Sequence, residues 1–533
     1  MRVTKAGAAR ISQAPRPSKK KESLMLADGA SEDAESGALT LNEGVESSMF
    51  LPTATMISLM TDAVSSKPAA APVDTRAAMD ERGRLHRRFA ARLEVNPLLT
   101  RQLVSFQASK SAPFYRWLKY KEAFSPDLVE YLYDQLAATI QPRHVLDPFA
   151  GTGTALTRAC ARGWQATGIE LMPVGAAALR ARLLADEVSA REFERELDLL
   201  RRSEWENGKF HFPHLRITER AFSPETEAAL AGYMDRLPGI HDEAVRFLFW
   251  FAAMSVLEDV SFTRKDGQYL RWDQRSGRPL AQKFDKGFIP KFRDAVLQRL
   301  REFSQDLTRR NGGHFARQAR VMEGSCLLEM ARLEDASFDC VLTSPPYCNR
   351  YDYTRTYALE LAFCGCDETR IRELRQTLLS ATVENKSKRA ALAAHYRSLK
   401  AERRFDRVCA AYDGQRGLHE VLCHLNRARE AGELSNGHVV NMVENYFFEM
   451  ALVVFEIARV LKPGGRVFIV NDNVRYHGEE VPADLILSDF AESAGLRVDR
   501  VWVLPRGKGN SSQQMGRWGR VELRKCVYCW SKP

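Results

Sequence analysis

The sequence predicts an α/β fold built around a mostly parallel sheet. Two short apolar runs, residues 144–147 and 338–342, have the length and composition of interior parallel strands. The first run leads through a glycine turn into an alanine-rich segment that ends at Ala161 and is typical of a helix. Residues 451–470 contain a helix-like segment, a glycine turn (462–465) and another apolar strand. Strand and helix therefore alternate along the chain, which favours the α/β class.

The turn after the first predicted strand has the properties of a cofactor-binding loop. It contains Gly151 and Gly153, which let the backbone approach a ligand without a Cβ atom in the way. A second strand, 165–169, ends at Glu170, where a carboxylate about twenty residues beyond the turn suits a ribose diol. Asp147 would repel a pyrophosphate, so a cationic sulfonium compound with an amino-acid tail fits better than a phosphate. An ordinary tight turn is the alternative.

A second motif, Thr343-Ser344-Pro345-Pro346-Tyr347, follows the predicted strand 338–342. The two prolines fix their own φ angles and bias the residue before each of them toward an extended conformation. The chain therefore leaves the strand as a stiff loop with an aromatic side chain at its tip. Because no helix takes up the loop carbonyls, they are free to accept hydrogen bonds from a ligand.

Both motifs resemble those of one enzyme family. Ser-Pro-Pro-Tyr is similar to the catalytic loop of the amino-methyltransferases that modify exocyclic amines of nucleic-acid bases, and Thr-Ser-Pro-Pro-Tyr resembles their cytosine-N4 branch. The turn 147–154, Asp-Pro-Phe-Ala-Gly-Thr-Gly-Thr, resembles their S-adenosylmethionine loop. The resemblance implies a class I methyltransferase (Rossmann-like) fold, with a mostly parallel seven-stranded sheet, an antiparallel C-terminal hairpin (498–504 and 523–530) and helical insertions. It also implies S-adenosyl-L-methionine as cofactor and double-stranded DNA as substrate.

The resemblance assigns roles to individual residues. Ser344 and the backbone carbonyl after it would hold the amine N–H groups, and Tyr347 would stack on a base rotated out of the duplex. The expected catalytic set is Ser344, Pro345, Pro346 and Tyr347, and the expected cofactor-binding set is Asp147, Phe149, Gly151, Thr152, Gly153, Thr154, Glu170 and Ser325. Ser325 stands where many relatives have an acid near the adenine, so Glu323 is an alternative contact. Residues 114–124 resemble the segment that covers the methionine end of the cofactor.

Other activities remain open at this stage. The same chemistry could act on adenine N6 in DNA or on the amines of RNA bases, and a degenerate methyltransferase fold could serve as a DNA-binding subunit. Serine before the first proline favours cytosine, because adenine-directed relatives mostly have Asp or Asn there. The absence of a Pro-Cys dipeptide argues against methylation of cytosine C5, which needs a thiolate nucleophile.

Composition is consistent with a nucleic-acid partner. The 533 residues are 45% apolar and 27% charged, with a formal net charge of +10, as expected for a soluble globular protein that binds a polyanion. The longest apolar stretch, 247–257, is too short to cross a bilayer, and no signal-peptide core is visible, so a cytoplasmic, nucleoid-associated protein is expected. The ten cysteines include one isolated CxxC, Cys526 to Cys529, for which reduced thiols rather than a metal site are expected.

The chain divides into six expected segments. They are a disordered tail and linker (1–85), the cofactor half of the catalytic domain (95–190), a mainly helical insert with candidate target recognition (190–315), the catalytic-loop region (316–365), a second insert of exposed helices (366–438) and the C-terminal half of the catalytic domain (439–533).

Two basic segments are candidates for DNA binding. Residues 261–272 mix cations with aromatic residues, the chemistry that grips phosphates and stacks bases, and contain Arg264, Lys265 and Arg271. The glycine-rich loop 506–520 contributes Arg517 and Arg520. For both segments, an ordinary charged surface is the alternative. A cognate restriction endonuclease is a candidate partner.

Overall fold

A computed structural model describes residues 80–100, 102–104, 106–205, 208–267, 269–280, 283–310, 318–505, 519 and 521–533. Within these ranges, no helix is both long enough and apolar enough to span a membrane. The strands are β1 (Leu93–Val95), β2 (His144–Asp147), β3 (Gln165–Glu170), β4 (Thr263–Asp266), β5 (Tyr269–Trp272), β6 (Ala319–Glu323), β7 (Phe338–Thr343), β8 (Leu461–Asp472), β9 (Val474–Tyr476), β10 (Glu479–Val481), β11 (Arg497–Val503) and β12 (Lys525–Ser531).

The helices cover most of the remaining described chain. They are α1 (Glu81–Phe89), α2 (Pro126–Ala137), α3 (Thr154–Ala161), α4 (Pro173–Leu184), α5 (Ala190–Arg202), α6 (Pro224–Met234), α7 (Glu243–Val260), α8 (Phe292–Thr308), α9 (Cys326–Glu329), α10 (Tyr353–Thr356), α11 (Ala358–Phe363), α12 (Glu368–Thr377), α13 (Arg389–Ser398), α14 (Glu402–Gly414), α15 (Arg416–Glu430), α16 (Val439–Val460) and α17 (Ala483–Ser493).

The main sheet has eight strands in the order β1-β11-β12-β8-β7-β2-β3-β6. All neighbouring pairs are parallel except those of β12, which runs antiparallel to both β8 and β11. The predicted α/β fold with its antiparallel C-terminal hairpin is thus confirmed. The eighth strand is β1, a three-residue parallel edge strand that the sequence did not reveal.

Strand order reverses beside β2. The chain proceeds from β2 outward to β3 and β6, then crosses back to add β7 and β8 on the other side of β2. In open α/β sheets this reversal leaves a crevice at the carboxyl ends of the two strands, where ligands bind. The glycine turn follows β2 and the Pro-Pro-Tyr loop follows β7, so both motifs emerge at this crevice.

The glycine turn predicted at 462–465 is a distortion within a strand. Helix α16 ends at Val460, and β8 begins at once with Leu461, which pairs with Phe338. The pairing then slips, because the next pair is Cys340 with Arg466, and Gly464 adopts a φ of 78° inside the irregularity. The Pro-Gly-Gly sequence therefore forms a bulge and does not separate helix from strand.

Two helical regions pack on this frame in different ways. The first insert contributes α7, which is buried along nearly its whole length, to a core that it shares with α4, α11 and the segment before α2. In the second insert, α13, α14 and α15 bury Leu392, Phe405 and Leu418 against α16, so these helices are not simply exposed as predicted. Their apolar residues recur at helical spacing beneath a charged outer face, which makes them part of the main core.

The folded part begins inside the predicted tail. Residues 1–79 lie outside the described ranges, but α1 starts at Glu81 and buries Leu85 and Phe89. Arg82 pairs with Glu420 of α15 at 2.9 Å. The boundary predicted at residue 85 therefore falls within a packed helix.

The isolated CxxC does not form a common site. Cys526 belongs to the core on one face of the sheet, whereas Cys529 belongs to the core on the other face. Both thiols are buried and free. Two residues three apart on a strand point to opposite faces, so these cysteines do not share a ligand.

Candidate active site

A cleft of about 750 Å³ opens at the carboxyl ends of β2, β3 and β7. Its walls come from five parts of the chain: the segment before α2, the glycine turn with the end of β3, the turn after β6, the Pro-Pro-Tyr loop with the residues that follow, and the two leucines after α12. The lining residues are Tyr120, Glu122, Ala123, Phe124, Pro148, Phe149, Ala150, Gly151, Thr152, Thr154, Ile169, Glu170, Leu171, Met172, Gly324, Ser325, Cys326, Ser344, Pro346, Tyr353, Leu378 and Leu379.

Six of the eight predicted cofactor-binding residues lie on this wall: Phe149, Gly151, Thr152, Thr154, Glu170 and Ser325. Glu170 is held by the backbone, because its two carboxylate oxygens accept hydrogen bonds from Gly151 N and Met172 N, both at 2.6 Å. Gly151 has a φ of 53°, which favours glycine and brings its N–H toward the carboxylate. Burial raises the pKa of Glu170 to about 8, although these N–H donors act in the opposite direction.

The other two predicted cofactor-binding residues, Asp147 and Gly153, do not line the cleft. The Asp147 carboxylate is buried beneath the turn, where it accepts a hydrogen bond from Thr343 Oγ1 at 2.6 Å and from Phe149 N at 3.1 Å. Burial raises its pKa to about 7. Asp147 therefore connects the glycine turn with the Pro-Pro-Tyr motif. Gly153 has a φ of 74°, and a Cβ atom there would lie 2.2 Å from Leu179 Cδ1, so this glycine permits close packing of α4.

The Pro-Pro-Tyr loop is anchored on both sides. Thr343 is bonded to Asp147 at the end of β2, and Ser344 Oγ donates to the carbonyl of Val470 in β8 at 3.2 Å. Ser344 and Pro346 face the cleft, Pro345 is buried, and Tyr347 is half-buried. The Ser344 side chain also forms a hydrogen bond with that of Tyr347, which holds the serine and the aromatic tip of the loop together.

An aromatic wall faces the loop from the other side of the cleft. The ring of Tyr120 stacks on that of Tyr357 with centroids 4.8 Å apart, and the Tyr357 hydroxyl donates to the Glu122 carboxylate. Burial raises the pKa of Glu122, while its tyrosine partners lower it. This wall belongs to the segment 114–124 that the resemblance placed over the methionine end of a cofactor.

Two buried charged residues hold the aromatic wall and the glycine turn in place, and neither was predicted from the sequence. Arg182 of α4 donates to the carbonyl and hydroxyl of Thr152, and burial lowers its pKa to about 10. Asp306 of α8 accepts hydrogen bonds from Phe114 N and Trp117 Nε1, both at 2.9 Å. Neither residue belongs to a recognisable motif, and their positions depend on how α4 and the first insert pack. The first insert therefore helps to hold the wall of the cleft in position.

The turn after β6 forms the far end of the cleft. Ser325 lies on the wall, its hydroxyl donates to the carbonyl of Thr377 at 3.2 Å, and the next residues after Thr377, Leu378 and Leu379, close the cleft. Glu323 does not line it. Ser325 and Glu323 were the two alternative cofactor contacts predicted in this turn. Of the two, Ser325 lies on the cleft wall, beside Leu378 and Leu379 of the second insert, which the sequence did not indicate as cleft residues.

The predicted DNA-binding residues fall into three situations. Arg264 of β4 is exposed and lies directly across from Arg271 of β5, whose guanidinium also contacts Asp266 at 3.4 Å. Lys265 is 3% exposed, so its assignment to DNA binding is wrong. Arg517 and Arg520 lie outside the described residues.

Lys265 points inward because side chains alternate along a strand. Its Nζ lies 2.5 Å from Glu360 Oε1 and 3.8 Å from Glu258 Oε2, and it sits over the Tyr357 ring. Burial would lower the pKa of Lys265, but the two carboxylates outweigh burial and raise it. The signal was present in the sequence, because Lys265 pairs across the hairpin with the apolar Leu270.

The described residues contain no group of three or more His, Cys, Asp or Glu side chains that could hold a metal ion.

The Arg264–Arg271 pair is electrostatically unusual, because like charges directly opposite each other destabilise a hairpin. An anionic ligand would remove that repulsion. The hairpin also adjoins the cleft wall, since Lys121 donates to the carbonyl of Lys265 and Thr356 contacts that of Gly267.

Comparison with known proteins gives relatives that span most of the chain. The chain is 43% identical over 470 residues to proteins named type II methyltransferase M.AvaI from Nostoc sp. and Anabaena variabilis, a match that covers 84% of this chain and 92% of each relative. It is 37% identical over 470 residues to type II methyltransferase M.BsoBI of Geobacillus stearothermophilus, with 85% and 92% covered. A scan against protein-family models finds no match.

Proposed function

The chain belongs to the type II methyltransferases and is thus a site-specific DNA methyltransferase, and we propose that it methylates the exocyclic N4 of cytosine in duplex DNA. The observation that carries the proposal is the Thr-Ser-Pro-Pro-Tyr loop at the mouth of the cleft. Its serine lines the cleft and is held in place by hydrogen bonds to the Val470 carbonyl and to Tyr347. Serine before the first proline favours cytosine over adenine.

The cleft fits S-adenosyl-L-methionine, whose bound form supplies an electrophilic methyl group. Glu170 would accept hydrogen bonds from a ribose diol, and Phe149 and the leucines at 378–379 offer apolar surface suited to an adenine, with Ser325 beside them. The backbone of the glycine turn and Glu122 surround the opposite end, where a carboxylate suits a cationic ligand. No phosphate would be favoured there, because Glu170 and Glu122 are both acids.

The loop residues carry the proposed chemistry. An exocyclic amine is a weak nucleophile, since its lone pair is delocalised into the base ring. Ser344 Oγ and the carbonyl of Pro345 would accept its two N–H groups and bring the lone pair toward tetrahedral geometry. Tyr347 would stack on the base, an interaction worth about 1–3 kcal/mol. The remaining catalysis is alignment within a site that excludes water.

DNA would be held by cations outside the cleft. The pair formed by the exposed Arg264 and the half-buried Arg271 is one proposed phosphate contact, and Arg517 and Arg520 are another. We also propose a restriction-modification role with a cognate endonuclease, since type II methyltransferases are the modification half of such systems. The protein would act on chromosomal DNA in the cytoplasm.

Mass spectrometry of nucleosides tests the proposed base. DNA and RNA would be isolated from cells that express the wild-type protein or Ser344→Ala, and both would be digested to nucleosides. N4-methyldeoxycytidine in DNA with the wild type only is the expected result. N6-methyldeoxyadenosine without N4-methyldeoxycytidine would reassign the base, and methylated RNA nucleosides alone would reassign the substrate. Calorimetry with S-adenosylmethionine confirms that Ser344→Ala retains its cofactor site.

A further inference from the structure

Arg350 occupies an unusual position beside the catalytic loop. It lies three residues beyond Tyr347, just before α10, and has a φ of 65°. This left-handed region is uncommon for residues other than glycine, and such strain concentrates at ligand-binding and catalytic positions. The backbone is fixed on its N-terminal side, where Asn349 N donates to the carbonyl of Tyr347 at 2.7 Å. A glycine would adopt this conformation without strain, so the arginine side chain is retained for another reason.

The guanidinium of Arg350 contains an N–H group that has no partner among the described residues. The side chain is half-buried, its Nε is fully enclosed, and that Nε has no hydrogen-bond acceptor among the described residues. The nearest acid in sequence, Asp352, is instead engaged by Arg355 and Arg375, at 3.3 and 3.2 Å. An enclosed N–H without an acceptor is costly and calls for an explanation. An acceptor supplied by a ligand provides one.

The β9–β10 hairpin packs against the chain beside Arg350. The Tyr476 hydroxyl of β9 donates to the carbonyl of Cys348 at 2.6 Å, which fixes the β9–β10 hairpin against the catalytic loop. Burial raises the pKa of Tyr476 well above its ordinary value, and the nearby charge of Arg350 acts against that rise. The Arg350 charge therefore lies near Tyr476 of this hairpin, three residues beyond Tyr347 of the catalytic loop.

The substrate of the proposed function carries an anion at this place. A base that leaves the duplex to reach Ser344 and Tyr347 brings its own sugar and phosphates with it. Phosphate oxygens match the planar fork of a guanidinium, and phosphate contacts fix the position of the DNA without reading its sequence. An anion a few bonds from the target base is therefore the ligand that completes Arg350.

We propose that Arg350 binds a backbone phosphate flanking the target nucleotide and holds that nucleotide in its flipped position. The inference rests on the proposed function, because it requires a flipped nucleotide in the cleft. Arg350 is a positioning residue in this role, since it acts on the reacting amine through the sugar-phosphate backbone. Its removal should affect flipping and DNA binding while leaving cofactor binding intact.

Three substitutions test the proposal: Arg350→Gly, Arg350→Lys and, as a control, Arg497→Ala, which removes an exposed arginine paired with Asp499. The target site is first located by sequencing a plasmid methylated by the wild-type protein. Arg350→Gly should melt at the wild-type temperature or above, since glycine relieves the backbone strain. It should lower kcat/KM for methylation about 10- to 100-fold, the effect of one charged hydrogen bond, with unchanged S-adenosylmethionine affinity.

Two further measurements identify the phosphate. The slope of log K against log salt should fall by about 0.9 in Arg350→Gly and recover in Arg350→Lys, which restores charge but only part of the rate. A fluorescent 2-aminopurine at the target position should show less flipping with Arg350→Gly. Duplexes with one neutral methylphosphonate on either side of the target should lower the wild-type rate at one position and leave Arg350→Gly unaffected there.

Several outcomes would overturn the proposal. A lower melting temperature of Arg350→Gly would indicate a structural role, and an altered target sequence with an unchanged salt slope would indicate contact with a base edge. Additive effects of the methylphosphonate and Arg350→Gly would place the phosphate elsewhere. If the wild type methylates DNA and Arg350→Gly matches it, this inference alone fails. If the wild type methylates no DNA, the proposed function fails, and the inference fails with it.

Discussion

The cofactor cleft and the β4–β5 hairpin were both predicted from short sequence motifs, yet they differ in how their residues are held. In the cleft, the predicted groups are fixed by the backbone, as when Gly151 N and Met172 N both donate to Glu170. In the hairpin, two neighbouring cations differ in burial, since Arg264 is exposed and Lys265 is buried between two carboxylates.

The difference shows what kind of site a local motif determines. A strand followed by a glycine turn fixes both the path of the backbone and the direction of its N–H groups, so the ligand chemistry follows from the sequence. A basic segment fixes only composition, and tertiary packing decides which charges reach solvent. The four predictions below test whether the cleft and the hairpin respond to substitution as this distinction requires.

The largest effect is expected from Lys265→Ala. The substitution leaves Glu360 buried without its cation, whereas Glu258 keeps Lys119 at 2.9 Å, and breaking a buried ion pair in this way costs about 3–5 kcal/mol of unfolding free energy. Urea unfolding measures the loss. The matched variant Arg264→Ala, one residue earlier on the opposite face, should leave the unfolding free energy unchanged or slightly higher. Equal stabilities of the two variants would contradict the distinction between inward and outward cations.

The second prediction concerns Glu170→Gln, which should weaken S-adenosylmethionine binding about 10- to 100-fold, the range for hydrogen bonds to a charged group. Calorimetry measures this loss. The control is Glu323→Gln, because Glu323 is the register partner of Glu170 in β6 but does not line the cleft. It should keep wild-type affinity, and an equal loss in both variants would show that neither acid contacts the ligand.

The same pair of variants has a pH signature. The pKa of Glu170 is raised from 4.5 to about 8, so its contribution to stability is present below 4.5 and is lost as pH rises through 8. A ribose diol donates to the ionised carboxylate, so cofactor affinity should increase as pH rises toward and past 8. Glu170→Gln should abolish that increase, and Glu323→Gln should preserve it.

The sequence predicted the parts of this molecule that depend on local geometry. The strands predicted at 144–147, 165–169 and 338–342 and the antiparallel C-terminal pair are all present, with β3 and β7 each one residue longer than expected. Long-range packing determined what was missed. Arg182, Asp306 and the leucines at 378–379 reach the cleft from helices and an insert whose positions no local pattern specifies.

The third prediction tests the connection between the two motifs. Thr343→Val removes the hydroxyl that donates to Asp147, so the buried carboxyl retains Phe149 N and loses its strongest donor. We expect a loss of about 1–3 kcal/mol in unfolding free energy, which becomes larger as pH rises through 7 because Asp147 must then ionise in the folded protein. Thr343→Ser, which keeps the hydroxyl, should remain close to the wild type. A similar loss in both variants would show that the methyl group matters more than the bond.

The smallest effect is expected at the exposed face of the hairpin. Arg264 and Arg271 lie directly opposite each other, and like charges so placed destabilise a hairpin, by a few tenths of a kcal/mol to about 1 kcal/mol. Arg264→Ala should therefore raise the unfolding free energy by a small amount while weakening DNA binding.

The salt dependence of DNA binding tests the phosphate contacts. If each arginine neutralises one phosphate, the double variant Arg264→Ala with Arg271→Ala should lower the salt slope of DNA binding by about 2 units. Arg517→Ala with Arg520→Ala tests the C-terminal loop in the same assay, and whichever pair leaves the slope unchanged is an ordinary charged surface. A gain in unfolding free energy without any change in the salt slope would mean that the hairpin arginines do not contact DNA. The function of the hairpin, unlike that of the cleft, would then not be predictable from its sequence.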